Sequence, residues 1–120
     1  MNKIVERALV RWGMEGAEYQ LAAHRENAVF RVHHSAGAVA LRLHRKGYRT
    51  DAELRSELLW MDVASNGGIG VPSPTPTLKG ELLLHIDGTQ IDVLTWLPGT
   101  TLDKAMVTKS SKERLSLIHI

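Results

Sequence analysis

Val39-Ala40-Leu41-Arg42-Leu43-His44-Arg45-Lys46-Gly47-Tyr48-Arg49-Thr50-Asp51-Ala52-Glu53-Leu54-Arg55-Ser56-Glu57 is the stretch whose reading decides the fold. It opens as a short apolar strand that carries one cation. Alternate residues of a strand share a face, so Ala40 and Arg42 point the same way. A basic turn follows, and then a helix with a strong start signal. The Thr50 hydroxyl can accept from the amide of Glu53 while the Glu53 carboxylate reaches back to the cap, which is a capping box. Leu54, Leu58 and Met61 recur at i, i+4 and i+7, Trp60 and Ala64 extend the buried stripe, and Asn66-Gly67-Gly68 ends it. Glu57 lies beside that stripe, so its carboxylate meets the margin of whatever the helix packs on. A strand Arg and a helix Glu are by themselves ordinary surface residues; the elements around them give the pair its meaning.

Upstream, Ile4, Val5, Ala8, Leu9 and Trp12 fall at helical spacing opposite Glu6, Arg7 and Arg11, and Gly13 and Gly16 stop the pattern. Ala17 to His24 reads as a half-buried strand with Tyr19, Leu21 and Ala23 on one face and Gln20 and Ala22 on the other. His24-Arg25-Glu26-Asn27 is a polar break. Ala28 to His34 resumes the alternation, with Phe30 and Val32 on one side and Val29, Arg31 and His33 on the other. Ser35-Ala36-Gly37 turns into a third strand, Ala38 to His44. Downstream of the helix, Gly70-Val71-Pro72-Ser73-Pro74-Thr75-Pro76 is an extended connector, since each proline removes a donor and biases its predecessor away from helix. Glu81 to Ile86 and Gln90 to Leu97 are strands joined at Asp87-Gly88, a strong hairpin signal. Pro98-Gly99 breaks the last strand, and Thr101 to Val107 begins a helix capped by Thr100 or Thr101. Leu115 to Ile120 is apolar with no partner in view.

This order predicts an α+β fold. It is an antiparallel five-stranded sheet with one helix inserted between strands 3 and 4, plus a leading helix and the start of a further helix. Residues 1–107 form one lobe, and 108–120 form a tail that reads as a truncation point.

Composition excludes several classes. At 120 residues the chain is one domain or a piece of one, and its 43% hydrophobic and 23% charged residues are those of an ordinary globular domain. Without cysteine there is no disulfide framework and no thiolate chemistry, which suits a reducing cytoplasm. No apolar run is long enough to span a membrane, and the opening residues are neither a signal nor a transit peptide. A formal charge of +2 does not imply strong nucleic-acid binding. The cluster Arg42, His44, Arg45, Lys46 and Arg49 reads as a solvated turn. His33, His34 and His44 lack zinc-site spacing. Trp60 and Trp96 read as core residues.

Four segments, taken in order, resemble the amino-terminal lobe of the aminoglycoside phosphotransferase, homoserine kinase and choline kinase superfamily, which has a protein-kinase-like fold. They are Glu26-Asn27-Ala28-Val29-Phe30-Arg31-Val32, then Val39-Ala40-Leu41-Arg42-Leu43-His44-Arg45, then Ser56-Glu57-Leu58-Leu59-Trp60-Met61 with Val71-Pro72, and Trp96-Leu97-Pro98-Gly99. The resemblance covers about residues 15 to 105. Val39-Ala40-Leu41-Arg42 stands where protein kinases carry V-A-I-K. The resemblance implies that Arg42 takes the place of the phosphate-binding Lys or Arg and that Glu57 is its ion-pair partner. Arg is not a neutral swap for Lys, since its planar fork can pair with Glu57 and phosphate at once. The turn from His24 to Asn27 would cover the nucleotide, Ala40 and Val29 would touch the adenine ring, and the backbone of Thr95, Trp96 and Leu97 would form the hinge at its edge.

The implied cofactors are ATP and Mg²⁺. The catalytic loop, H-x-D followed by Asn, and the later metal-binding Asp belong to the carboxy-terminal lobe and match nothing here. The Mg²⁺ ligands are therefore expected in the missing lobe, and this chain alone is expected to be inactive. The function implied is the ATP-binding half of a cytoplasmic small-molecule phosphotransferase. Its partners would be a nucleotide and a hydroxyl acceptor, with no nucleic acid and no membrane. The alternative is a non-catalytic interaction module that self-associates as a homo-oligomer through the apolar surface a second lobe would hide.

Overall fold

Seven elements follow one another in the computed structural model, which describes residues 2–35 and 37–97. They are α1 (Asn2–Arg11), β1 (Glu18–His24), β2 (Asn27–His34), β3 (Gly37–His44), α2 (Asp51–Asn66), β4 (Leu84–Ile86) and β5 (Thr89–Thr95). The strands form one antiparallel sheet in the order β1-β2-β3-β5-β4. α2 is inserted between β3 and β4, as the sequence predicts, and the chain returns so that β5 pairs with β3. β3 is thereby central, hydrogen-bonded on both sides.

Each face of the sheet is covered by a helix. Phe30, Val32, Leu41, Leu43, Ile91 and Val93 pack under Val5, Ala8 and Leu9 of α1. Val29, Ala40 and Leu94 pack under Leu54, Leu58 and Met61 of α2. Leu54 and Leu58 are fully buried, each contributing about 1.5–3 kcal/mol of apolar burial. Covering on both faces explains why β5 is buried from Thr89 through Leu94 and shows no alternation of exposure.

The start of α2 is fixed as the capping box predicts: Glu53 N–H donates to Thr50 Oγ1 at 3.1 Å, and Thr50 N–H donates to Glu53 Oε1 at 2.8 Å. The β4–β5 hairpin turns at Asp87 (φ 51°) and Gly88 (φ 80°), two successive left-handed residues of the kind a right-twisted hairpin requires.

Several expectations need correction. In β1 the register shifts between Leu21 and Ala23, a bulge that moves Ala23 off the face of Tyr19 and Leu21 and onto the α2 side. β1 is also an edge strand with most of its residues exposed, so it is less buried than the alternation suggests. β4 is only three residues long. Thr77 to Glu81 closes a turn instead, with Thr77 N–H donating to Glu81 O at 2.8 Å and Glu81 N–H donating to Thr77 Oγ1 at 3.0 Å. The edge of β5 beyond β4 is satisfied by the proline-rich connector, through Thr75 N–H to Val93 O at 2.7 Å and Thr95 N–H to Ser73 O at 2.9 Å. β5 ends at Thr95, and Trp96 is only partly buried, as is Trp60. The helix expected over Thr101 to Val107, its cap at Thr100 or Thr101, and the 108–120 tail lie outside the described residues.

Candidate functional site

Register across the sheet assembles the site. Val29, Arg42 and Asp92 occupy one row over β2, β3 and β5, and Arg31, Ala40 and Leu94 occupy the neighbouring row. Both rows face α2. Arg42 is only 1% exposed although it carries a charge. Its Nε donates to Asp92 Oδ1 at 2.5 Å and its Nη2 to Asp92 Oδ2 at 2.8 Å, a bidentate pair between a fully buried acid and a buried base. His44, two residues along β3, places Nε2 2.7 Å from Asp92 Oδ2. On the helix side Arg42 Nη1 lies 3.6 Å from Glu57 Oε2, and Arg49 Nη1 donates to Glu57 Oε1 at 2.6 Å. The result is a continuous row of charge, His44, Asp92, Arg42, Glu57, Arg49, running from the sheet to the helix.

Electrostatics follow from that packing. Burial by itself would raise the Asp92 pKa, but the Arg42 charge, the His44 charge and their hydrogen bonds outweigh it and hold the carboxyl at about 2. Arg49 is lowered by burial first and by the like charge of Arg42 second. A buried pair of this kind is tolerated because every charge has a geometrically good partner.

Glu57 is an ion-pair partner of Arg42, as expected, and the structure adds a second acid. The two-pronged contact goes to Asp92, which sequence reasoning passed over. The signal was present: Ile91-Asp92-Val93-Leu94 sets one acid in an otherwise apolar strand, and an acid so placed needs a cation opposite. The basic cluster is a solvated turn only at Arg45 and Lys46, which are exposed. Arg42 and His44 are buried and Arg49 is partly so, while Arg45 lies over the Tyr48 ring at 5.7 Å.

Of the other residues singled out, Val29 and Ala40 are buried beside Leu94 on the α2 face, and Trp96 packs at the edge of the same cluster. The Arg31 guanidinium carbon sits 5.0 Å from the centre of the Trp96 ring. Asn27 begins β2, opposite His44, and its carbonyl accepts from Arg25 N–H at 3.0 Å to close the β1–β2 turn. That turn borders a depression of about 260 Å³ which His44 and Arg45 also line. Thr95 is exposed, and it is committed to the connector: its N–H donates to Ser73 O, and its Oγ1 accepts from Ser73 N–H at 2.9 Å. Its N–H is therefore engaged within the fold. Trp96 and Leu97 follow immediately beyond the sheet, both half-buried.

Comparison with known proteins bears on this geometry. The phosphotransferase enzyme family, APH, is matched over residues 19–118. No curated protein matches the chain. Among solved structures, an amicoumacin kinase in complex with AMP-PNP and Ca²⁺ superposes with TM-score 0.74 at 19% identity, over 82% of this chain and 31% of that one. A microcompartment-associated aminopropanol kinase gives TM-score 0.76 at 22% identity, over 98% and 40%. A spectinomycin phosphotransferase in complex with ADP and spectinomycin gives TM-score 0.58 at 17% identity, over 91% and 34%. At these identities the likeness is one of fold. The chain spans less than half the length of each of these proteins.

Proposed function

The chain belongs to the phosphotransferase enzyme family, and from that premise we propose that it is the ATP-binding half of a small-molecule phosphotransferase, moving a phosphoryl group from ATP to a hydroxyl acceptor. The observation that carries the reading is Arg42. It is a cation held in one pose by Asp92 and facing Glu57, two residues along the same strand face from the small Ala40. Phosphoryl transfer depends on charges positioned before the substrate arrives, and a guanidinium fixed on both sides needs no reordering to meet a phosphate.

The residues present suit a nucleotide. Val29, Ala40 and Leu94 form an apolar cluster under α2, bounded by the cation–π pair of Arg31 and Trp96, and the adenine ring would sit at the margin of that cluster with Arg42 toward the phosphates. ATP would supply the transferable phosphoryl group. The chain spans less than half the length of its solved neighbours, and we assign the Mg²⁺ ligands, the catalytic base and the acceptor site to the remaining length of the enzyme. Residues 1–107 would be the nucleotide lobe. No helix among the described residues is long and apolar enough to cross a membrane, and a cytoplasmic location suits an enzyme that draws on ATP. The solved neighbours include kinases bound to AMP-PNP or ADP, which supports the nucleotide assignment.

Fluorescence of the tryptophans, Trp96 among them, offers the direct test. Titration with Mg²⁺ and AMP-PNP should give saturable quenching with a Kd on the order of millimolar, the affinity of a half-site. No saturable change would count against the nucleotide reading. If the chain then sedimented as a concentration-dependent oligomer, the interaction module would replace it, with Leu59 (57% exposed) and Val63 (71% exposed) on the outer face of α2 as its first candidates.

A further inference from the structure

We infer that Asp92 is a positioning residue for nucleotide binding, and that its presence opposite position 42 is what makes an arginine rather than a lysine the working cation there. The inference rests on the ATP reading above. Asp92 has no solvent exposure and lies directly across the β3–β5 ladder from Arg42. A carboxylate so placed claims whatever cation stands opposite, because it has no water to fall back on. The guanidinium meets that claim with Nε and Nη2 while its third nitrogen, Nη1, is turned toward Glu57 and α2. One planar group thus serves the sheet on one edge and the helix on the other. Lysine offers a single point charge on a flexible stem. Opposite Asp92, that ammonium would be drawn down onto the carboxylate and away from the phosphate side. His44 reinforces the arrangement by holding Asp92 Oδ2 from the same strand as Arg42.

The test is a second-site rescue in the full chain, read as the Kd for Mg²⁺ with AMP-PNP and with fold checked by amide dispersion. Arg42→Lys should bind about tenfold more weakly than wild type, the equivalent of one charge-assisted contact. Arg42→Lys/Asp92→Asn should recover most of that loss, since the ammonium is released from its captor. Arg42→Lys/Asp92→Leu serves the same purpose if the asparagine variant does not fold. A merely structural carboxylate predicts the opposite, a double variant no tighter than Arg42→Lys, and that result would overturn the inference.

A second readout does not depend on nucleotide. Exchange of the Arg42 Nε proton with water should be slow in wild type and at least about tenfold faster in Asp92→Asn, as expected when a buried hydrogen bond opens. Absence of nucleotide binding in wild type would overturn the ATP reading. Unchanged Nε exchange would overturn the positioning role of Asp92 alone.

Discussion

Arg42 and Asp92 face each other across the β3–β5 ladder and exchange two hydrogen bonds, 2.5 Å from Nε and 2.8 Å from Nη2, with essentially no exposure of either side chain. Their union ties the middle of the sheet together through charge, with His44 beside Asp92 and Glu57 beside Arg42. Truncating Arg42 leaves Asp92 ionised in a dry site with His44 beside it in place of the two-pronged guanidinium contact. Arg42→Ala should therefore destabilise the chain by about 3–5 kcal/mol in urea unfolding. Glu57→Gln should cost no more than about 1 kcal/mol, because its closest partner, Arg49, keeps 30% of its side chain in water. Equal midpoints for Arg42→Ala and wild type would contradict a buried pair. The same reasoning makes Arg42→Ala a poor probe of nucleotide binding, since loss of fold and loss of ligand would be confounded.

Acid should loosen the pair in a defined window. Asp92 is held at about 2, against an ordinary value of 3.8, so the unfolded chain takes up protons first as pH falls. Stability from this group is fully present above pH 4 and is lost as pH falls through 4 toward 2, a contribution on the order of 2 kcal/mol. Unfolding free energies of wild type and Asp92→Asn, measured from pH 6 to pH 2.5, should converge at the acid end. Parallel curves would mean that Asp92 has no depressed pKa.

The capping box at α2 reaches the site through the first turn of the helix. Thr50→Ala removes the acceptor for Glu53 N–H and should cost about 1 kcal/mol, while Thr50→Ser should be nearly neutral. Because Arg49 precedes the cap and Glu57 lies two turns into the helix, amide exchange should quicken over residues 51–57 in Thr50→Ala. Uniform exchange along α2 would contradict a local role for the cap.

At the β4–β5 turn, Gly88 has φ 80° and space around it: an added Cβ would meet only the end of the Lys46 side chain, Cε at 3.8 Å and Nζ at 3.9 Å. Gly88→Ala should thus destabilise through backbone conformation alone, by about 1–2 kcal/mol. Thermal unfolding of this variant checks the value, and no loss would mean that the hairpin readily adopts another turn type.

Most of the fold was legible because its signals were local. The capping residues Thr50 and Glu53, the Asp87-Gly88 turn and the helical spacing of Leu54, Leu58 and Met61 each depend on neighbours a few positions away. What escaped reading depended on pairing. The bulge between Leu21 and Ala23 has no marker in the sequence, since neither residue demands it. The short β4 reflects competition from the Thr77–Glu81 turn for the same backbone groups. In the site, the cation and the helix carboxylate were found from their spacing. Asp92 is 50 residues from Arg42 and becomes its partner only through strand register. The contacts of Thr95 N–H and Oγ1 with Ser73 likewise come from the fold of the connector and not from local sequence.

The central claim is that the α2 face of the sheet binds the nucleotide, with Arg42 toward the phosphates. Backbone amide shifts recorded while Mg²⁺ and AMP-PNP are added would test it most directly. The account predicts progressive shifts at Val29, Ala40, Arg42, Trp96 and Leu97, with the α1 residues Val5, Ala8 and Leu9 on the opposite face unmoved. Shifts confined to the α1 side, or none at saturating ligand, would contradict it.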